Sequence, residues 1–248
     1  MVTRYQIGLA GRWLTVGAGL GAASYAAYVA TTWYRYGRVA GHAGAEERDA
    51  LLDQFMPTYE VAERHDVRIA APAAITFAAA TEMDLEQSPI VRAIFKIREW
   101  VMRSHPARQP ETRAFLSQMR AIGWGVLAEI PGREIVMGAV TQPWMADVVF
   151  RALPPEAFVA FHEPDYVKIV WTLRADPLGD AASIFRTETR VVTTDPMARA
   201  KFRRYWAFAS PGIILIRWAL LGPLKTASER RIRASAGRSL RAEPRVAR

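Results

Sequence analysis

The sequence predicts an α+β fold: a curved antiparallel sheet wrapped around one long C-terminal helix, with one N-terminal transmembrane helix ahead of it. Three observations carry that expectation. Residues 166–174 and 185–191 alternate apolar and polar side chains like two half-buried strands. Immediately afterwards the chain enters a long helical pattern at Thr194-Asp195-Pro196. Far upstream, the 22 residues between Arg12 and Arg35 carry no charge.

That N-terminal stretch, as a helix rising about 1.5 Å per residue, just spans a hydrocarbon core of about 30 Å. Trp13 at one end, and Trp33 with Tyr34 at the other, resemble interfacial anchors. A cleaved signal peptide is the competing reading, although the apolar region is long and aromatic for one and the cleavage signal is poor. Gly17-Ala18-Gly19-Leu20-Gly21-Ala22 mimics a dinucleotide-binding pattern, but no strand signal precedes it and the first acidic residue afterwards is Glu46. Gly17 and Gly21 would also let two such helices approach closely, which makes the segment a route to a homodimer. Residues 1–36 are therefore expected to be a single-pass membrane anchor and 37–58 a linker. The main domain, residues 59–228, is assigned to the cytoplasmic side.

The domain opens with a strand, 59–69, in which Val61, His65, Val67 and Ile69 share a face. A short apolar helix follows Ala71-Pro72. Ser88 caps a further helix beginning at Pro89, with Ile90, Ile94, Ile97 and Val101 as its buried stripe. Residues 110–123 form a third helical piece. Strands at 124–130 and 133–142 flank a hairpin turn at Pro131-Gly132. Residues 143–156 form an irregular excursion and 157–162 another short strand. In the pair that follows, Val167, Ile169, Trp171 and Leu173 point one way. Arg186, Glu188 and Arg190 form a charged row, expected as cross-strand ion pairs on a solvated face. Asp195 caps the last helix, with Pro196 at its tolerated first position. Pro211-Gly212 and Gly222-Pro223 interrupt that helix. Between them the run IILIRWALL is too short to span a bilayer, so it packs across the concave sheet or touches the membrane interface.

Composition narrows the chemistry. There is no cysteine, hence no disulfide, thiolate metal site or cysteine nucleophile. Of the net charge of +9, residues 229–248 supply +5, from seven arginines against two glutamates. This segment reads as a disordered, solvated basic tail. The sharper alternative is attraction to anionic lipid headgroups, worth about 1 kcal/mol per basic residue. No recognition motif accompanies the charge, so no specific nucleic acid is expected as a partner.

The order of strand, helices, antiparallel strands and long final helix, with the segments APAAITFAAATEMDL, TETRVVTTD and FRRYW, resembles the SRPBCC superfamily. These are the START/Bet v 1-like helix-grip proteins, including the polyketide cyclase/dehydrase-like group. The resemblance covers roughly residues 59–228. It implies a sheet gripping the last helix around a hydrophobic cavity that takes lipids, sterols or polyketides, with cyclisation or dehydration in some members. The family has no universal catalytic signature, so the resemblance assigns no catalytic residue here.

Candidate cavity residues are His65, Trp124, Met137, Ile169, Trp171, Phe202 and Trp206. His65 suits either general acid/base work or a structural hydrogen bond. The aromatics suit a ligand pocket or a core equally, because both are rich in them. No histidine pair has metal-ligand spacing, and neither a metal nor a cofactor is expected. The function that follows is membrane-anchored binding of a hydrophobic small molecule or lipid. The alternatives are a cyclase/dehydratase-type enzyme using the same cavity, and a tethered interaction module with a filled core.

Overall fold

The computed structural model describes residues 4–38, 48–84, 88–103 and 114–242. Its elements run in the order α1 (Arg4–Arg35), α2 (Ala50–Asp53), β1 (Val61–Ile69), α3 (Ala73–Glu82), α4 (Pro89–Met102), α5 (Phe115–Ala121), β2 (Gly125–Ile130), β3 (Glu134–Thr141), β4 (Phe150–Arg151), α6 (Pro155–Val159), β5 (Val167–Pro177), β6 (Ser183–Thr193) and α7 (Pro196–Ala242). The strands form one antiparallel sheet in the order β1-β6-β5-β3-β2, with β4 on β3. This is the α+β architecture expected, an antiparallel sheet of six strands with a long C-terminal helix.

Period-two alternation then sorts the side chains between two faces. On the face towards α7, Met137 stands opposite Trp171 and Ile135 opposite Leu173. These four join Ile69, Phe77, Trp124, Phe185 and Leu224 in one buried cluster. Further along the same face Val61, Val167 and Val191 pack with Phe202 and Trp206 of α7 and with Tyr36. Burying a phenylalanine such as Phe202, which is 1% exposed, contributes about 1.5–3 kcal/mol. Asp195 starts α7 as expected, its carboxylate accepting from the Met197 and Ala198 amides at 2.7 and 2.9 Å. Pro211 and Pro223 lie inside a continuous helix of 47 residues, each removing one backbone donor while the turns on either side remain.

The opposite face is covered too, and this corrects two expectations. Residues 48–58 are not a linker. Asp49 caps α2 by accepting from the Leu52 amide at 2.8 Å, and Leu52 and Met56 are buried against Val136, Val140, Phe158 and Val170. Residues 39–47 lie outside the described residues. With α2 and α6 laid across it, the charged row of β6 is not solvated: Glu188 is 5% exposed and Arg190 2%. Arg190 donates to Glu188 at 2.7 Å, to Asp53 at 2.5 Å and to the Met56 carbonyl at 2.8 Å. Arg64 completes the network, 3.0 Å from Glu188 and 2.7 Å from the Tyr59 hydroxyl. A buried charged row of this kind is tolerated because each charge is paired and hydrogen-bonded.

Four further expectations change. Residues 157–159, expected to begin a strand, belong instead to α6, because Pro155 occupies the first helical position, where its missing donor costs nothing. The apolar stripe of α4 is only partly covered, with Ile90 44% and Ile97 60% exposed. The tail does not begin at 229, since α7 continues to Ala242; residues 243–248 lie outside the described residues. Finally, among the described residues the helix long and apolar enough to cross a membrane is α7, over Pro196–Ser235, and not the N-terminal one. The difference lies in composition: α1 is mainly Ala and Gly inside, whereas α7 concentrates branched aliphatics in IILI and LL. Only 17% of that apolar stretch is buried within the protein. The C-terminal third of α1 lies against α7, with the Tyr25 hydroxyl donating to the Phe208 carbonyl at 2.9 Å and Tyr28 bonded to Ser210 at 3.0 Å.

Candidate functional site

Between the two apolar clusters of the α7-facing surface lies a polar station. β1 contributes Glu63 and His65, and β6 contributes their cross-strand partners Thr189 and Thr187. Arg217 comes down on them from α7. Its guanidinium donates to the Thr189 hydroxyl, and to the Thr187 hydroxyl at 3.4 Å. The Arg217 residue retains partial surface exposure while its charged end is sunk among protein atoms. The aliphatic stem accounts for the exposed part, and the charge centre is what matters for solvation.

Electrostatics follow from this placement. Burial pushes the Arg217 guanidinium down to about 10, opposed by the charge of Glu63. Burial raises Glu63, and Arg217 pulls it back. His65 is lowered by burial first and by Arg217 second, so it is neutral at neutral pH. Its Nε2 is buried and has no hydrogen-bond partner among the described residues. The imidazole stands 6.0 Å, edge to face, from the indole of Trp218, which is 64% exposed. The station is therefore deep at its charged end and close to the surface at its histidine end.

The structure divides the seven candidate cavity residues into three groups. Trp124, Met137 and Trp171 come together in the first cluster, where the indoles lie 5.8 Å apart and Phe115 and Phe150 stack on them. Ile169 touches both clusters. Phe202 and Trp206 stack at 5.9 Å in the second. His65 stands apart from these aromatics, in the polar station. Sequence inspection passed over Glu63, Thr187, Thr189 and Arg217 as functional residues. The available signal was Arg217 itself, the single charge in the run 205–224, and Glu63 on the otherwise apolar side of β1.

Among the described residues, two open clefts are lined mainly from the other face of the sheet. One, of about 230 Å³, is lined by Asp49, Arg64, Asp66, Thr172, Arg174 and Arg186 and also reaches His65 and Thr187 of the polar station. The second, of about 260 Å³, lies between Phe55, Met56, Phe161, Lys168 and Val192. Neither contains any of the six apolar candidate residues. Most of the charges lining the first are committed to ion pairs, Arg174 and Arg186 to Asp176 at 2.8 and 3.1 Å, and Arg64 to Glu188. Both are smaller and more polar than an apolar-ligand pocket requires. Among the described residues no group of His, Asp and Glu is placed to hold a metal ion.

No family model matches the chain, and no curated protein sequence matches it. Solved structures similar to it include hypothetical protein jhp0584 from Helicobacter pylori, at 8% identity and a TM-score of 0.38, covering 76% of this chain and 99% of that one. The Zhui aromatase/cyclase from Streptomyces sp. R1128 has 14% identity and a TM-score of 0.28, covering 71% of this chain and 97% of its own. A START superfamily protein from Mycobacterium smegmatis has 10% identity and a TM-score of 0.24, over 62% and 94% respectively. Likeness at this level assigns neither a family nor an activity.

Proposed function

We propose that this protein binds an apolar small molecule or lipid between the sheet and α7, at a membrane surface, within the helix-grip arrangement that the sequence resembles. One observation carries the reading: two apolar clusters on one face of the sheet flank a small set of convergent polar groups, with a buried and unpartnered histidine nitrogen among them. Ligand sites for apolar molecules have this composition, mostly hydrophobic walls with a few polar groups that set orientation. The exposed apolar residues Ile97, Phe208, Leu215 and Trp218, on a chain of net charge +9, favour a lipid surface as the source of the ligand.

Native mass spectrometry of protein extracted in mild detergent tests this. The expected result is a stoichiometric apolar molecule that leaves on collisional activation. Protein that carries no such molecule, and acquires none from a lipid extract, overturns the reading in favour of a filled core. The enzymatic alternative rests on the neutral His65 as a proton acceptor. Unchanged turnover of a bound ligand in His65→Gln removes that residue from any mechanism.

A further inference from the structure

We propose that the ligand is an amphipathic carboxylate whose head is held by Arg217 and His65 while its hydrocarbon part runs along the apolar face of the sheet. The inference rests on the apolar-site reading above and adds the chemistry of the head. A guanidinium presents five N–H donors and is the strongest fixed cation a chain can supply. Among the described residues, only two neutral acceptors meet Arg217, the hydroxyls of Thr187 and Thr189. Glu63 is the carboxylate whose charge Arg217 feels, yet among the described residues the two form no ion pair. Elsewhere the chain handles inward charges differently. Arg190 on the other face has both Glu188 and Asp53 in direct contact.

Among the described residues the cation at the centre of the α7-facing surface thus has a carboxylate nearby but none in direct contact, and a buried charge without a directly bonded counter-ion is disfavoured. A carboxylate suits the guanidinium in both charge and shape, since its two oxygens match the fork. His65 lies beside it on the neighbouring strand position, and its unpartnered Nε2 can donate a further hydrogen bond when the proton resides there. The half-buried Val67, Ile169, Ile213 and Leu221 offer apolar surface to the rest of the molecule.

Binding of hexadecanoate and of hexadecanol to the full-length protein, measured by calorimetry for wild type and for Arg217→Gln, separates the two levels of the reading. Wild type is expected to bind the acid about 10- to 100-fold more tightly than the alcohol, the value of one or two hydrogen bonds to a charged group. In Arg217→Gln that preference is expected to fall to about twofold or less, with alcohol binding retained. Equal binding of acid and alcohol by wild type, or a preference that survives in Arg217→Gln, overturns the carboxylate inference and leaves the apolar site standing. Binding of neither compound by wild type overturns both. Should Arg217→Gln fail to fold, the wild-type acid-to-alcohol ratio decides alone.

Discussion

Replacing Arg190 by methionine tests whether the inner charged row is structural. The Arg190 side chain is 3% exposed and makes direct contacts with Glu188, Asp53 and the Met56 carbonyl, with Tyr59 4.6 Å below its guanidinium. Methionine preserves most of the aliphatic stem and removes every polar contact. Breaking one side of a buried pair costs about 3–5 kcal/mol, because the remaining charge stays desolvated. Two features pull the figure down. Glu188 keeps Arg64 at 3.0 Å, and the Asp53 side chain is 45% exposed and can rehydrate. A loss of about 3 kcal/mol is therefore expected, which lowers Tm by roughly 6–12 °C in a chain of this size. The internal standard is Glu163→Gln, which removes an ion pair with Arg151 whose side chains are 42% and 56% exposed and should cost under about 1 kcal/mol. Urea unfolding of both variants at neutral pH, with equal slopes, gives the comparison. If Arg190→Met loses no more than Glu163→Gln, the row is solvated and the second covered face described above is wrong.

Three other outcomes follow from particular contacts. Gly123 has φ of +103°, and a Cβ there would stand 2.0 Å from the Phe150 carbonyl oxygen, so Gly123→Ala should cost about 2 kcal/mol or more; an unchanged urea midpoint would contradict the placement of β4. The Glu134 carboxyl is pushed up to about 8, by burial first and by the neighbouring Asp49 second. The native state then holds a proton that the unfolded chain has released, so stability falls as pH rises from about 4.5 towards about 8. Glu134→Gln should flatten that slope, and a slope identical to wild type across those pH values would assign it to other groups. Ile97→Glu places a negative charge on the uncovered stripe of α4. It should reduce co-flotation with anionic vesicles while circular dichroism stays the same, and undiminished flotation would remove α4 from the membrane-facing surface.

Much of the architecture was legible in residue order because its causes are local. Alternation of Val167, Ile169, Trp171 and Leu173 against their polar neighbours depends only on the two-residue repeat of a strand, and all four share one face in the folded protein. The Pro131-Gly132 turn joins β2 and β3 with Gly132 at φ +70°, a conformation readily adopted by glycine. Asp195 caps α7 through bonds to residues two and three positions on. Pattern and punctuation were thus sufficient for an antiparallel sheet followed by a long capped helix.

What covers each face was a different matter. Alternation separates two rows of side chains, but it carries no information about the segment that will lie on either. The row of Arg186, Glu188 and Arg190 read as solvated because nothing in β6 itself reveals that residues 48–58, more than a hundred positions earlier, are folded over it. The converse holds for α4, whose apolar stripe implied a neighbour that the tertiary structure only partly provides. Arg217 shows the same limit at the candidate site. In sequence it is a lone cation in an uncharged run, and only the packing of α7 across β1 and β6 sets it beside Glu63, His65, Thr187 and Thr189. Residue order was enough for the five long strands, the Pro131-Gly132 turn, the Asp195 cap and the fold class, all written within a few residues of each other. Tertiary structure alone decided which charges are buried and which are paired, because desolvation depends on neighbours that are distant along the chain.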